Sequence, residues 1–84
     1  MPNVTVYSTN YCPYCMRAKE LLKRKGVAYT EVNVEDDAAR DAMIAKAGGR
    51  RTVPKIFIGD THVGGFDDLA ALDKAGKLDT LLAG

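Results

Sequence analysis

Apolar residues change their period along this chain, and each change marks an element. Val4-Thr5-Val6-Tyr7 is β-branched and aromatic, which predicts a strand, central in its sheet. Ser8 to Tyr11 is polar and predicts a loop. Cys15, Ala18, Leu21 and Leu22 then recur at helical spacing, while Arg17, Lys19, Glu20, Lys23 and Arg24 point elsewhere. Pro13 suits a first helical turn, where its missing N–H costs little, so Cys12 falls near the N-cap. Gly26 is the expected helix stop.

Tyr29 to Val34 alternates and predicts a second strand, with Tyr29, Val32 and Val34 as its large apolar members. Glu35-Asp36-Asp37 puts negative charge at a helix start. That helix should run to about Ala47, with Met43, Ile44 and Ala47 inward, and end at Gly48-Gly49. Lys55-Ile56-Phe57-Ile58 is the third strand. A Gly59-Asp60-Thr61 turn leads to a short fourth strand near His62-Val63, as a hairpin. Asp67-Asp68 begins a helix carrying Leu69 and Leu72. Gly76 interrupts it, and Leu78, Leu81 and Leu82 form a last apolar patch. The order β-α-β-α-β-β-α predicts an α/β fold: a four-stranded mixed sheet with helices on both faces. Its first two strands should be parallel across a right-handed crossover.

At 84 residues the chain is long enough for one domain, 1–84, and one core. Its net charge of +1 gives no bias toward nucleic acid or a membrane surface. No apolar run approaches the roughly 18 residues of a membrane span. The start, Met1-Pro2-Asn3-Val4, lacks the basic end and apolar core of a signal peptide, so a cytoplasmic location is expected. A monomer is the default.

Chemistry concentrates at Cys12-Pro13-Tyr14-Cys15, which holds both cysteines of the chain. In a reducing compartment a close pair is more often catalytic or metal-binding than structural. Structural zinc wants four ligands, and Cys12, Cys15 and His62 are one short, so no metal site is expected. A thiol at a helix start is favoured as thiolate by the macrodipole and by unpaired N–H groups. An unperturbed cysteine, of pKa about 8.5, is only about 3% thiolate at pH 7. Lowering it to roughly 5 is about 5 kcal/mol of preference for the anion. A macrodipole supplies about 0.3–2 kcal/mol, so direct donors, from Tyr14 or Cys15, must supply the rest.

Three motifs in order resemble the glutaredoxins, most closely the short bacterial dithiol type: Cys12-Pro13-Tyr14-Cys15, Thr52-Val53-Pro54 and Gly64-Gly65-Phe66-Asp67-Asp68. The resemblance implies a thioredoxin fold and a glutathione-dependent thiol–disulfide oxidoreductase. It makes Cys12 the nucleophile, Cys15 the resolving thiol and Pro54 a cis proline facing them. Tyr14, Thr52, Val53, Pro54, Lys55, Gly65, Phe66 and Asp67 become the candidate glutathione site. The Val53 backbone would pair with the cysteinyl part of glutathione as an added strand would. The N–H groups of Phe66 and Asp67 would take the γ-glutamyl carboxylate, and the Asp67 carboxylate its ammonium.

Partners implied by the family are glutathione, glutathionylated or disulfide-containing proteins such as a ribonucleotide reductase, and glutathione reductase through oxidised glutathione. Two positions depart from the family pattern. Many relatives carry Lys or Arg where this chain has Thr9, and many bacterial ones carry Gln where it has Lys55. Lys55 is therefore expected to supply the cation that Thr9 lacks. The alternative is an iron–sulfur cluster carrier, bridging two protomers with glutathione. Pro13 and Cys15 favour the enzyme, because cluster-binding relatives often lack one or the other. His62 is expected as an exposed hairpin residue. Arg17, Lys19, Lys46, Arg50 and Arg51 are expected as solvated faces.

Overall fold

The computed structural model describes residues 3–49 and 52–83. Its elements are β1 (Val4–Ser8), α1 (Pro13–Arg24), β2 (Thr30–Asn33), α2 (Asp37–Lys46), β3 (Lys55–Ile58), β4 (Thr61–Gly64), α3 (Phe66–Lys74) and α4 (Leu78–Ala83). The strands form one sheet in the order β2-β1-β3-β4. β1 pairs with β2 in parallel, Val6 opposite Glu31, and with β3 antiparallel, Val6 opposite Ile56. β3 and β4 form the expected antiparallel hairpin, with a register shift between Ile56 and Phe57. The central place expected for the first strand is the one observed.

Alternation along the central strands builds the two sides. Val4, Val6, Ile56 and Ile58 join Ala18, Leu21, Leu22, Leu69, Leu78 and Leu82 in one buried cluster under α1, α3 and α4. Each fully buried leucine contributes about 1.5–3 kcal/mol. On the other side the Phe57 ring meets the edge of Tyr7 at 5.7 Å and lies 4.7 Å from the Lys46 ammonium of α2. Met43 and Ala47 are buried as expected, whereas Ile44 is only half-buried.

Caps explain the helix limits. The Asp36 carboxylate accepts the Ala39 N–H at 3.0 Å, so α2 begins where the acidic run predicts. Gly26 stands just past α1 with a φ of +70°, a left-handed stop that a glycine adopts without strain. The second strand is shorter than the Tyr29–Val34 alternation suggests. Tyr29 and Val34 lie beyond its ends, although Val34 is fully buried and donates its N–H to the Ser8 carbonyl at 2.8 Å. The last apolar patch is itself a short helix, α4. The Lys25 ammonium ties α1 to α3 and α4 through Asp73, at 2.6 Å, and Asp79, at 3.4 Å. The Asp73 hydrogen bond, ahead of Asp79, raises the lysine's pKa.

Glu31, on the exposed edge strand β2, receives the buried Ser8 hydroxyl at 2.6 Å and the Lys19 ammonium at 2.9 Å. The Ser8 hydrogen bond, then Lys19, lowers its pKa below 4.5. A depressed carboxylate stabilises the fold above its unfolded value and loses that stabilisation as pH falls through its folded value. The stability gap between the parent and Glu31→Gln should therefore be largest at neutral pH and shrink below about pH 4.5, measured by urea titrations at both. A gap independent of pH would refute the linkage.

Candidate active site

Cys12 is the N-cap of α1, with extended backbone at φ −136° and ψ 99°. Its sulfur accepts the Cys15 N–H at 3.1 Å, and its carbonyl accepts the Met16 N–H at 3.1 Å. The Cys15 N–H is thus placed where the macrodipole argument requires a direct donor. The two sulfurs are joined as a disulfide, with Cα atoms 5.1 Å apart. Their exposures differ: Cys12 reaches the surface at 9%, whereas Cys15 is 1% exposed beneath it. An external disulfide can therefore approach Cys12 but not Cys15.

Two distant segments close around this helix start. Val53-Pro54 is a cis peptide, and the Cys12 sulfur lies 3.9 Å from the Val53 carbonyl oxygen. The turn at Gly64-Gly65 leads into α3, which begins at Phe66, one residue earlier than the acidic pair suggests. Phe66 and Asp67 are therefore the first two helical residues, whose N–H groups have no acceptor within the helix. The Asp68 carboxylate accepts the Gly65 N–H at 3.1 Å. Glycine has no side chain to reciprocate, so only half of a capping box forms. Gly64 has a φ of +113°, and a side chain there would run into the Asp68 carboxylate.

A cavity of about 220 Å³ joins these pieces. Tyr14, Thr52, Val53, Pro54, Lys55, Gly65, Phe66, Asp67 and Asp68 line it. All eight residues named from the sequence beside the cysteine pair thus come together. Asp68 is the addition, and its signal was an acid three residues after a helix N-cap. The Tyr14 ring is half-exposed, 6.4 Å from Phe66, with the Arg17 guanidinium 5.3 Å from its centroid. Lys55 is buried at 3% exposure, and its ammonium donates to the Thr52 hydroxyl at 2.6 Å.

Other expectations need correction. His62 is half-buried rather than exposed, because its ring stacks on Phe57 at 4.7 Å. Lys19 is half-buried by its ion pair with Glu31, whereas Arg17 and Lys46 are exposed as expected, beside the Tyr14 and Phe57 rings. Arg50 and Arg51 lie outside the described residues. Among the described residues, no group of three or more His, Cys, Asp or Glu could hold a metal ion. Nor is any helix among them long and apolar enough to cross a membrane.

Known proteins share this sequence and this fold. A family profile for glutaredoxin matches residues 4–63. The chain is 54% identical to a glutaredoxin of Pseudomonas aeruginosa over 99% of both chains. It is 51% identical to glutaredoxin 3 of Escherichia coli over 98% of this chain and 99% of that one. The solution structure of a Brucella melitensis glutaredoxin superposes with a TM-score of 0.85 at 49% identity, covering 98% of this chain and 89% of that one. A buckwheat glutaredoxin–glutathione complex superposes at 0.88 with 35% identity, covering 98% and 77%. With a thiol pair at a helix start, on a thioredoxin-fold sheet, the chain belongs to the glutaredoxin family and is a thiol–disulfide oxidoreductase.

Proposed function

We propose that this protein reduces protein–glutathione mixed disulfides and protein disulfides at the expense of glutathione. The observation that carries this reading is the cavity beside the Cys12–Cys15 pair, built from three separate segments. One wall offers the Val53 backbone, which suits strand-like pairing with a peptide. The other offers the Phe66 and Asp67 N–H groups, which suit a carboxylate. The exposed Asp67 carboxylate then takes the ammonium of the same γ-glutamyl group. The buckwheat glutaredoxin solved with glutathione supports the same ligand.

The cycle follows from the unequal exposure of the sulfurs. The Cys12 thiolate attacks the glutathionyl sulfur of a mixed disulfide. A Cys12–glutathione disulfide forms, and the protein cysteine leaves as thiolate and takes a proton. A second glutathione thiolate attacks the glutathionyl sulfur of that adduct, expelling Cys12 and releasing oxidised glutathione. With a protein disulfide, Cys12 forms a bond to one protein sulfur. Cys15 then attacks the Cys12 sulfur, frees the protein dithiol and closes the bridge described above. Two glutathiones reopen it. Thiolate fraction and nucleophilicity move oppositely with pKa, so a low Cys12 pKa changes attack little and mainly speeds Cys12's departure.

Lys55 is assigned to the glycyl carboxylate of glutathione in place of Thr9, with the Thr52 hydroxyl as its partner. The cytoplasm is the proposed location, with glutathionylated or disulfide-containing proteins as substrates. A coupled assay supplies the test. Turnover should depend on glutathione and glutathione reductase, and Lys55→Gln should raise the KM for glutathione while sparing kcat. Turnover driven by thioredoxin reductase instead would refute the glutathione reading. A visible chromophore after anaerobic purification would favour the cluster carrier.

A further inference from the structure

The loop between β1 and Cys12 is held by side chains that lie outside all three motifs. The Asn10 N–H donates to Glu35 Oε1 at 3.0 Å, and Asn33 Nδ2 donates to Asn10 Oδ1 at 2.7 Å. The Glu35 N–H in turn donates to Asn33 Oδ1 at 2.8 Å, closing the arrangement. Asn10 is thus gripped at its side chain by the end of β2 and at its backbone by Glu35 just beyond, two residues before Cys12.

Cys12 needs such support because it is only half helical. Its carbonyl begins the helix, while its φ and ψ are those of an extended chain. Helix α1 is fixed by Ala18, Leu21 and Leu22 in the core. The backbone that aims the Cys12 side chain therefore depends on the loop. The 3.1 Å contact between its sulfur and the Cys15 N–H holds only while that aim is kept. The sulfur must also keep it while exchanging between disulfide, thiolate and mixed disulfide.

We propose that Asn33 and Glu35 are positioning residues that act through Asn10 to keep the Cys12 sulfur on the Cys15 N–H. Neither touches the sulfur. The inference rests on the proposed function only in taking Cys12 as the reacting thiol. The test is alkylation of Cys12 by iodoacetamide across pH, in a Cys15→Ser background that keeps the donor N–H. Glu35→Ala and Asn33→Ala should each raise the midpoint of the pH–rate profile. Below the midpoint they should slow alkylation about two- to tenfold, the worth of one hydrogen bond.

Glu35→Gln keeps an acceptor oxygen and removes the charge, and should stay within about twofold of the parent. If the charge alone mattered, losing it would favour the thiolate, and both Glu35 variants would lower the midpoint. That outcome overturns the proposal. So does an unchanged profile in the alanine variants, even with a lower melting temperature, because the loop contacts would then serve stability alone. The alkylation needs no glutathione. A protein that lacked glutathione-linked turnover would fail the reading of the preceding section and leave this measurement intact.

Discussion

Cys12→Ser is expected to abolish turnover with both protein–glutathione mixed disulfides and protein disulfides. A serine hydroxyl forms no disulfide, and every step of the proposed cycle passes through the sulfur at this position. Cys15 is no substitute, because at 1% exposure it lies behind Cys12. Cys15→Ser should separate the two activities. It should retain removal of glutathione from mixed disulfides, where a second glutathione does the resolving. It should lose reduction of protein disulfides and accumulate a Cys12–protein adduct visible by mass spectrometry. Loss of both activities in a folded Cys15→Ser protein would show that this division of labour is wrong.

Gly64→Ala is expected to have the largest effect on stability and on the proposed glutathione site together. The added methyl carries two costs. A φ of +113° strains any residue other than glycine, by about 1–3 kcal/mol. The Cβ also meets the Asp68 carboxylate, which must then leave the Gly65 N–H, a capping loss of about 0.5–2 kcal/mol. In a domain of this size a loss of about 2–4 kcal/mol lowers the melting temperature by roughly 10–30 °C. Asp68 and Gly65 both line the cavity, so KM for glutathione should rise as well. Adding Asp68→Ala removes the collision and should return part of the stability, which a double-mutant cycle measures. A Gly64→Ala protein that melts within a few degrees of its parent would refute the close-approach argument.

Much of this was legible in the sequence, for reasons tied to single elements. The helical repeat of Ala18, Leu21 and Leu22 and the position of Pro13 fixed the start of α1, and with it Cys12 as N-cap. Asp36 marked the start of α2 through its own side chain. Errors arose where distant contacts decide. Val34 is buried and bonded to Ser8 yet lies outside the second strand's ladder. The exposed reading of His62 missed the Phe57 ring, which reaches it only through hairpin pairing. The solvated reading of Lys19 missed Glu31, twelve residues away on the neighbouring strand.

The proposed glutathione site divides along the same line. Motif spacing named eight lining residues from resemblance, and the tertiary fold added Asp68. The sequence places Cys12 at the N-cap and Cys15 one helical turn later on the apolar face, but it does not set how accessible each sulfur is. Tertiary packing distinguishes them. The core draws the inner face of α1 down and buries Cys15, while the N-cap position leaves Cys12 at the rim. The contacts of Asn10 with Asn33 and Glu35 carry no sequence signature, because their partners are more than twenty residues apart and meet only when β1 and β2 pair. Local chemistry thus determined which atoms react. The sheet decided which sulfur is accessible and what holds it there, because side chains far apart in the chain meet only once its strands are in register.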